Sequence, residues 1–229
     1  MQGSGISGLD VGSVQLKLND DGFYTLMIGC SDMGTGCDTI LAQMAADGLG
    51  CDMDNIIVRG VDTDQSPYDS GSYASSTTYV TGGAVVKACE SMRKRICEEA
   101  AAIMGLKSGE VDFDGETISE NDNPEHSMTL SDLITSLEAG NGRIIEVTES
   151  HTSPVSPPPF MAGAAEIEVD LETGKITPIN YVAAVDCGTV INTNLARIQT
   201  EGGIVQGMGM TLYEDVQYTE AGKMKNRNF

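Results

Sequence analysis

Apolar and polar residues alternate through the first patterned segment of the chain, GSVQLKLNDDGFYTLMIGC, on both sides of Asp20-Asp21-Gly22. A period of two is typical of a half-buried strand, and an Asp-Gly pair between two such runs favours a tight turn. The segment therefore predicts a β-hairpin with one apolar face. Its buried positions are Val14, Leu16, Leu18, Tyr24, Leu26 and Ile28.

Two stretches with helical spacing follow the hairpin. The first covers roughly residues 38–48 and places Ile40, Leu41 and Met44 on one side, and the second covers roughly residues 77–104. Between them, NIIVRGV is rich in β-branched residues and predicts a short strand. A polar loop, DTDQSPYDSGSYASSTT, leads from this strand into the second helix.

The middle of the chain predicts smaller elements. EVDFDGETI predicts a second hairpin that turns at Asp114-Gly115. TLSDLITSLEAG predicts a helix that is capped near Ser131 and stopped by Gly140. The proline-rich SPVSPPPF, residues 153–160, can continue neither a helix nor a central strand, so it predicts a connector.

The last part of the chain predicts two strands, residues 164–170 and 175–185, joined by the turn Glu172-Thr173-Gly174. A helix over roughly residues 193–212 follows. Because strands and helices alternate irregularly along the chain, the pattern favours an α+β fold over a doubly wound parallel sheet. We expect mixed sheets with packed helices, arranged in two subdomains.

The charge of the chain limits its partners. The 229 residues carry a formal net charge of −21, and an acidic surface repels both nucleic acid and anionic lipid. No apolar run approaches the roughly 20 residues that span a bilayer, and the N-terminal segment lacks the features of a signal peptide. We therefore expect a cytoplasmic protein with neither a nucleic-acid nor a membrane partner.

The six cysteines form no CxxC pair, and their spacings match no zinc or iron–sulfur pattern. We expect them to be buried free thiols in a reducing cytoplasm, with no metal site built from them. The only histidines, His126 and His151, have no partner at ligand spacing. We expect surface or structural roles for both histidines.

Three segments could hold a ligand. Gly34-Thr35-Gly36 precedes a helix, where a glycine turn is either structural or a place where bare backbone amides hold an anion. It lacks the lysine of a P-loop and the third glycine of a dinucleotide fingerprint. The loop GSYASSTT, residues 71–78, is either a polar helix cap or a ring of small donors. Gln199, on a glycine-rich helix, is either solvent-exposed or a ligand contact. The residues themselves leave these alternatives open.

The order of the motifs along the chain favours a ligand-binding interpretation of these three segments. MGTG is followed by TILAQMAADGLG, the strand IIVRGVDTDQSP, the serine-rich loop and GGAVVKAC, and AAEIEVDLETG and QTEGGIVQGMG come later. This series resembles the xanthine dehydrogenase/aldehyde oxidase family, in the second molybdenum-cofactor-binding domain of the molybdopterin-binding large subunit. The resemblance covers residues 1–110 and 155–220 and is weaker between them.

The resemblance implies a bound molybdopterin cofactor, in a simple or a dinucleotide form. It divides the chain into a cofactor-binding core, residues 1–110 and 155–229, and a variable hairpin–helix insertion with the proline-rich connector, residues 111–154. Two loops and one glutamine match the cofactor-binding motifs of the family. These residues are Met33, Gly34, Thr35, Gly36, Ala74, Ser75, Ser76, Thr77 and Gln199.

The chain also departs from the family pattern. Many members have glutamine at the position of Thr35, and a threonine there is too short to make the same contact directly. The glutamate that serves as the catalytic base in the family is expected beyond Phe229, so no catalytic residue is assigned here. The first cofactor-binding domain is expected before Met1. These departures predict a piece of a larger protein, through truncation or through a split large subunit.

The family resemblance implies an oxidoreductase that hydroxylates a purine, an N-heterocycle or an aldehyde. It implies partners: the first molybdenum-cofactor-binding domain, and domains or subunits that carry iron–sulfur (Fe–S) centres and FAD. We expect the chain alone to be inactive. The alternative is a degenerate member of the family that keeps the fold but holds no cofactor and acts as an assembly or binding module.

Overall fold

The predicted hairpin lies at the centre of the main sheet. In the computed structural model, which describes residues 5–227, β1 (Val11–Leu18) pairs antiparallel with β2 (Tyr24–Ile28). Leu18 lies opposite Tyr24. The six apolar positions predicted to be buried are each at most 5% exposed, because alternate residues of a strand share one face.

Two further strands complete this sheet, in the order β3-β2-β1-β7. The predicted strand β3 (Ile56–Arg59) runs parallel to β2, and β7 (Glu146–Thr152) runs antiparallel to β1. The two predicted helices, α1 (Cys37–Leu49) and α2 (Thr77–Met104), pack against each other. Helix α2 lies on β1 and β7 and α1 lies on β3, so the core fills the space between the helices and the sheet.

Strand β7 was missing from the prediction. Its half-buried positions are Val147, Glu149 and His151, so two of the three are polar and the apolar alternation is lost. Each polar residue contacts α2: Glu149 accepts a hydrogen bond from the Ser91 hydroxyl at 2.6 Å, and the His151 ring lies where a Cβ on Gly83 would be. Long-range polar contacts of this kind leave no local sequence pattern.

The smaller sheet follows α2. The predicted hairpin of β4 (Val111–Phe113) and β5 (Thr117–Glu120) is confirmed, and a third strand, β6 (Asn123–Thr129), joins β5. Two short 3-10 helices, Met53–Asn55 and Ser108–Glu110, precede β3 and β4.

The helix after β6, α3 (Leu130–Asn141), differs from the prediction at both ends. Its capping residue is Thr129, and not Ser131, because the Thr129 hydroxyl accepts the backbone amide of Asp132 at 3.1 Å. Gly140 lies inside the helix, which ends before Gly142 in the left-handed conformation, φ 62°. A glycine at that position can adopt the conformation without strain.

The chain divides between Pro158 and Pro159 into two compact units. The second unit contains the predicted strand pair, β8 (Phe160–Val169) and β9 (Ile176–Asp186), and the predicted helix α4 (Thr193–Leu212). The turn between the strands is held by Asp170, which accepts the Thr173 hydroxyl at 2.6 Å.

The architecture confirms the α+β prediction: small mixed and antiparallel sheets combine with four helices in the described part of the chain. Strand β7 falls within residues 111–154, and the assignment of that range to a variable insertion stays a prediction. Across the helices that the structure describes, none combines the length and the apolar character that crossing a membrane requires.

Candidate functional site

The first candidate loop connects β2 to α1. It contains Gly34 and Gly36 in left-handed conformations, φ 95° and 76°, and Met33 at its tip is 67% exposed. Asp32 organises the turn: its Oδ1 accepts the backbone amides of Gly34 at 2.8 Å and Gly36 at 3.2 Å, and its Oδ2 accepts the amide of Asp38 at 3.3 Å. The carboxylate of the chain itself therefore already uses these amides.

The electrostatics of this loop follow from the same contacts. Desolvation raises the pKa of Asp32, but hydrogen bonds from the backbone amides of Gly34, Gly36, Asp38 and Thr35 outweigh it and lower the pKa below its usual value. An ionised carboxylate at the first turn of α1 also suits the positive end of the helix dipole. Asp32 is thus an internal anion that fixes the turn.

Two thiols lie beneath the loop. Cys30 and Cys37 are buried, and a hydrogen bond between them raises the pKa of Cys30, together with burial, and lowers the pKa of Cys37. The expectation that all six cysteines are buried is wrong for Cys187, which is exposed, and holds only in part for Cys51 and Cys97, which are half-buried.

The second candidate loop precedes α2. Ala74 and Ser75 both have a positive φ, 53° and 56°, a conformation that costs energy for residues with a Cβ. Ser76 is buried, and its hydroxyl donates to the carbonyl oxygen of Tyr73 at 2.8 Å. No side chain caps the start of α2, which begins at Thr77. At this helix N-terminus the Ser76 side chain, at the N-cap position, makes no capping hydrogen bond.

The structure brings the two loops together. The Ser72 hydroxyl accepts the amide of Ser31 at 3.0 Å and donates to the carbonyl oxygen of Ser31 at 2.7 Å. At the base of the loops, a Cβ on Gly29 would lie 2.3 Å from the Pro67 carbonyl oxygen and 2.6 Å from the Cβ of Asp69. The chain segments that carry the two loops are thus in direct contact, which the sequence could not indicate for residues so far apart.

The ninth predicted site residue, Gln199, lies in α4 of the second unit, where its side chain is exposed. Arg197 and Glu201 form an ion pair at 3.3 Å on the same helix. The role predicted for Gln199 stays a prediction, because it concerns a ligand contact.

One group in the described residues has the spacing of a metal site. The ligand atoms of Asp32, Cys37 and Asp38 lie within 4.8 Å of one another, a cluster that the cysteine spacing did not indicate. Burial, and then the charge of Asp32, raise the pKa of Asp38. Because Asp32 is committed to three backbone amides, we assign this cluster to the structure of the turn. His126 pairs with Glu120 at 2.8 Å, as expected for a surface role.

The donors of the second loop fit a phosphorylated cofactor. An anion is favoured at a helix N-terminus, where free amides and the helix dipole act together, and the left-handed pair Ala74-Ser75 leads the chain into such a terminus. The first loop fits differently. Asp32 holds its amides, and the half-buried Thr35 side chain hydrogen-bonds the Cys37 thiol, so the exposed tip at Met33 remains as its contact surface.

Comparison with known proteins identifies the class. A profile described as molybdopterin cofactor-binding domain matches residues 1–229, and the chain belongs to this family, that of the molybdenum-binding subunits of xanthine dehydrogenase and carbon monoxide dehydrogenase. Among particular relatives, a probable hypoxanthine oxidase of Escherichia coli (strain K12) is 31% identical over 100% of this chain and 24% of its own length. The nicotine 6-hydroxylase large subunit of Paenarthrobacter nicotinovorans is 28% identical over 100% of this chain and 29% of its own length.

Solved structures agree on the fold. Quinoline 2-oxidoreductase from Pseudomonas putida 86 matches with a TM-score of 0.83 and 25% identity, over 94% of this chain and 28% of that chain. The Cu,Mo-CO dehydrogenase matches with a TM-score of 0.84 at 24% identity. The chain therefore spans less than a third of the length of the relatives that it matches.

Proposed function

We propose that the chain is the part of a molybdenum hydroxylase large subunit that holds the phosphorylated end of the molybdopterin cofactor. The observation that carries this proposal is the pairing of two preformed loops, 31–36 and 71–77, joined through Ser31 and Ser72. The uncapped start of α2, beside the loop residues Ala74 and Ser75, supports phosphate binding by backbone amides. The family membership supports the identity of the ligand.

Within that site, the proposed contacts differ between the loops. Ala74, Ser75 and Thr77 would bind through backbone amides at the helix start, and Ser76 would shape that turn, because its amide donates to the carbonyl oxygen of Tyr73 at 3.2 Å. Met33-Gly34-Thr35-Gly36 would bind through its exposed tip at Met33, because Asp32 accepts the amides of Gly34 and Gly36 and the Thr35 side chain hydrogen-bonds the Cys37 thiol. Gln199 would contact the pterin. The cofactor supplies the oxidative hydroxylation chemistry, and the residues of this chain position it.

The proposed substrate is a purine, an N-heterocycle or an aldehyde. Support comes from the relatives of the chain, which include a probable hypoxanthine oxidase and a nicotine 6-hydroxylase large subunit. Because several relatives are large subunits of complexes, we propose that the chain works with the first molybdenum-cofactor-binding domain and with Fe–S and FAD partners in the cytoplasm. We propose that the isolated chain is inactive.

Substitutions at Ser75 test the cofactor site. Ser75→Gly keeps the backbone amide and relieves the strain of φ 56°, whereas Ser75→Val opposes that conformation because β-branched residues disfavour a positive φ. If backbone amides hold the cofactor, the Gly variant retains its pterin content and the Val variant loses most of it. Pterin is measured by fluorescence after oxidative release from the chain purified with its partners.

Three results would each contradict a part of the proposal. A folded Ser75→Val chain with full pterin content would exclude binding through this helix start. Wild-type chain that folds, joins its partners and contains no pterin would favour the alternative function, a cofactor-free assembly module. Oxidation of hypoxanthine, nicotine or an aldehyde by the isolated, cofactor-loaded chain would contradict its proposed inactivity.

A further inference from the structure

Ser72 lies in the candidate loop 71–78 but is not among the residues assigned to the cofactor, and its hydroxyl makes two hydrogen bonds to one residue of the opposite loop. It accepts the Ser31 amide at 3.0 Å and donates to the Ser31 carbonyl oxygen at 2.7 Å. Among the residues that the structure describes, these are the only hydrogen bonds between loops 31–36 and 71–77. A single side chain therefore supplies the hydrogen bonds between the two loops, in addition to the packing of Gly29 against Pro67 and Asp69 at their base.

The other hydrogen bonds of each loop are made within the loop or to other parts of the first unit. In the second loop, Asp69 accepts the Gly71 amide at 2.8 Å and the Thr81 hydroxyl at 2.8 Å, which anchors the loop to α2. In the first loop, the Asp32 carboxylate holds the glycine turn. Away from the packing at Gly29, the position of one loop relative to the other depends on the hydrogen bonds of Ser72.

We infer that Ser72 is a positioning residue that holds the two proposed cofactor loops at the spacing one ligand requires. This inference rests on the proposed function. A ligand that contacts both loops binds best when the loops are already at the right distance, because no binding energy is then spent on ordering them. Loss of the Ser72 hydroxyl should therefore weaken cofactor retention more than it weakens the fold.

The neighbouring Ser70 offers a matched control. It is half-buried like Ser72, and its hydroxyl also accepts one backbone amide from a distant segment, that of Val11 in β1, at 2.9 Å. Ser70→Ala removes a comparable hydrogen bond without touching the contact between the loops. Ser72→Thr keeps the hydroxyl and serves as the rescue variant.

The test combines two measurements on these variants. In the chain without added cofactor, hydrogen exchange of segment 31–36 should be about tenfold faster in Ser72→Ala, and unchanged in Ser70→Ala and Ser72→Thr. In the chain purified with its partners, the pterin content should fall several-fold in Ser72→Ala and stay unchanged in the other two variants. The thermal midpoints of Ser72→Ala and Ser70→Ala should be the same.

The outcomes separate this inference from the proposed function. A wild-type chain without pterin would overturn the proposed function and this inference with it. A loaded wild type together with an equally loaded Ser72→Ala chain would overturn the inference alone. Equal loss of pterin in Ser70→Ala and Ser72→Ala would also overturn it, because the effect would then be one of general stability.

Discussion

At the scale of single residues, Asp32 is the least expected part of the site. Sequence alone predicted a glycine turn before a helix and left open whether its amides were free to hold an anion; the turn and the helix are confirmed. The availability of those amides could not be predicted, because it depends on the direction of one carboxylate. That carboxylate accepts the amides of Gly34, Gly36 and Asp38. Ser72 was missed for a similar reason, since its partner Ser31 lies 41 positions away.

Replacement of Asp32 tests this role. Asp32→Ala should lower the free energy of unfolding by about 1 kcal/mol at neutral pH, the usual net contribution of such hydrogen bonds. Because the folded protein lowers the pKa of Asp32, the stabilisation is fully present above the unfolded value of about 3.9 and is lost as pH falls through the lower folded value. Denaturant titrations of wild type and variant at several pH values measure the difference.

Asp114 provides the control for that experiment. It accepts the amides of Glu116 and Thr117 in the β4–β5 turn, and these bonds lower its pKa in the same way. Asp114→Ala should show the same loss of stability with pH but leave the pterin content unchanged. A difference in the free energy of unfolding between wild type and Asp32→Ala that is as large at pH 2 as at neutral pH would contradict the proposed role of the Asp32 charge.

At the scale of elements, the sequence predicted best where one face of an element is apolar. The first hairpin, α1 and α2 were predicted for this reason and β3 from its β-branched residues, with ends within one or two residues of those observed. Strands β6 and β7 were missed, since β6 is mostly exposed and β7 turns Glu149 and His151 towards α2. The contact of the two loops depends on such packing and lies beyond local periodicity.

Two glycines give opposite predictions at this scale. A Cβ on Gly12 in β1 would lie 2.5 Å from the Cα of Thr81 in α2, so Gly12→Ala should separate strand and helix and destabilise by about 1–3 kcal/mol. Gly140 in α3 has nothing within 4 Å of a Cβ, so Gly140→Ala should stabilise by about 0.5–1 kcal/mol. Thermal unfolding compares the two variants, and a stable Gly12→Ala chain would contradict the close packing of β1 on α2.

At the scale of the whole molecule, the core belongs to the first unit. Within residues 5–227, every buried apolar side chain lies at or before Ile145. The proline-rich connector was predicted from its composition, and the division at Pro158 and Pro159 falls inside it. The connector could thus be predicted, whereas the concentration of buried residues in the first unit could not; the predicted grouping of residues 155–229 with residues 1–110 in one cofactor-binding core stays a prediction.

This distribution predicts that a chain ending at Pro158 folds by itself. Its thermal midpoint, followed by circular dichroism, should lie within about 5 °C of that of the whole chain, because no buried apolar contact of the core is removed. Residues 159–229 alone should show no cooperative transition. Loss of cooperative unfolding in the shortened chain would show that the first unit depends on the second.

The central claim is that this chain binds the molybdopterin cofactor through its two paired loops. The most direct test is the amount of molybdenum and of pterin per chain, measured after purification of the wild-type protein coexpressed with the genes that flank its own. The proposed function predicts about one of each per chain, in line with one site. A folded, assembled chain that contains neither molybdenum nor pterin would contradict it.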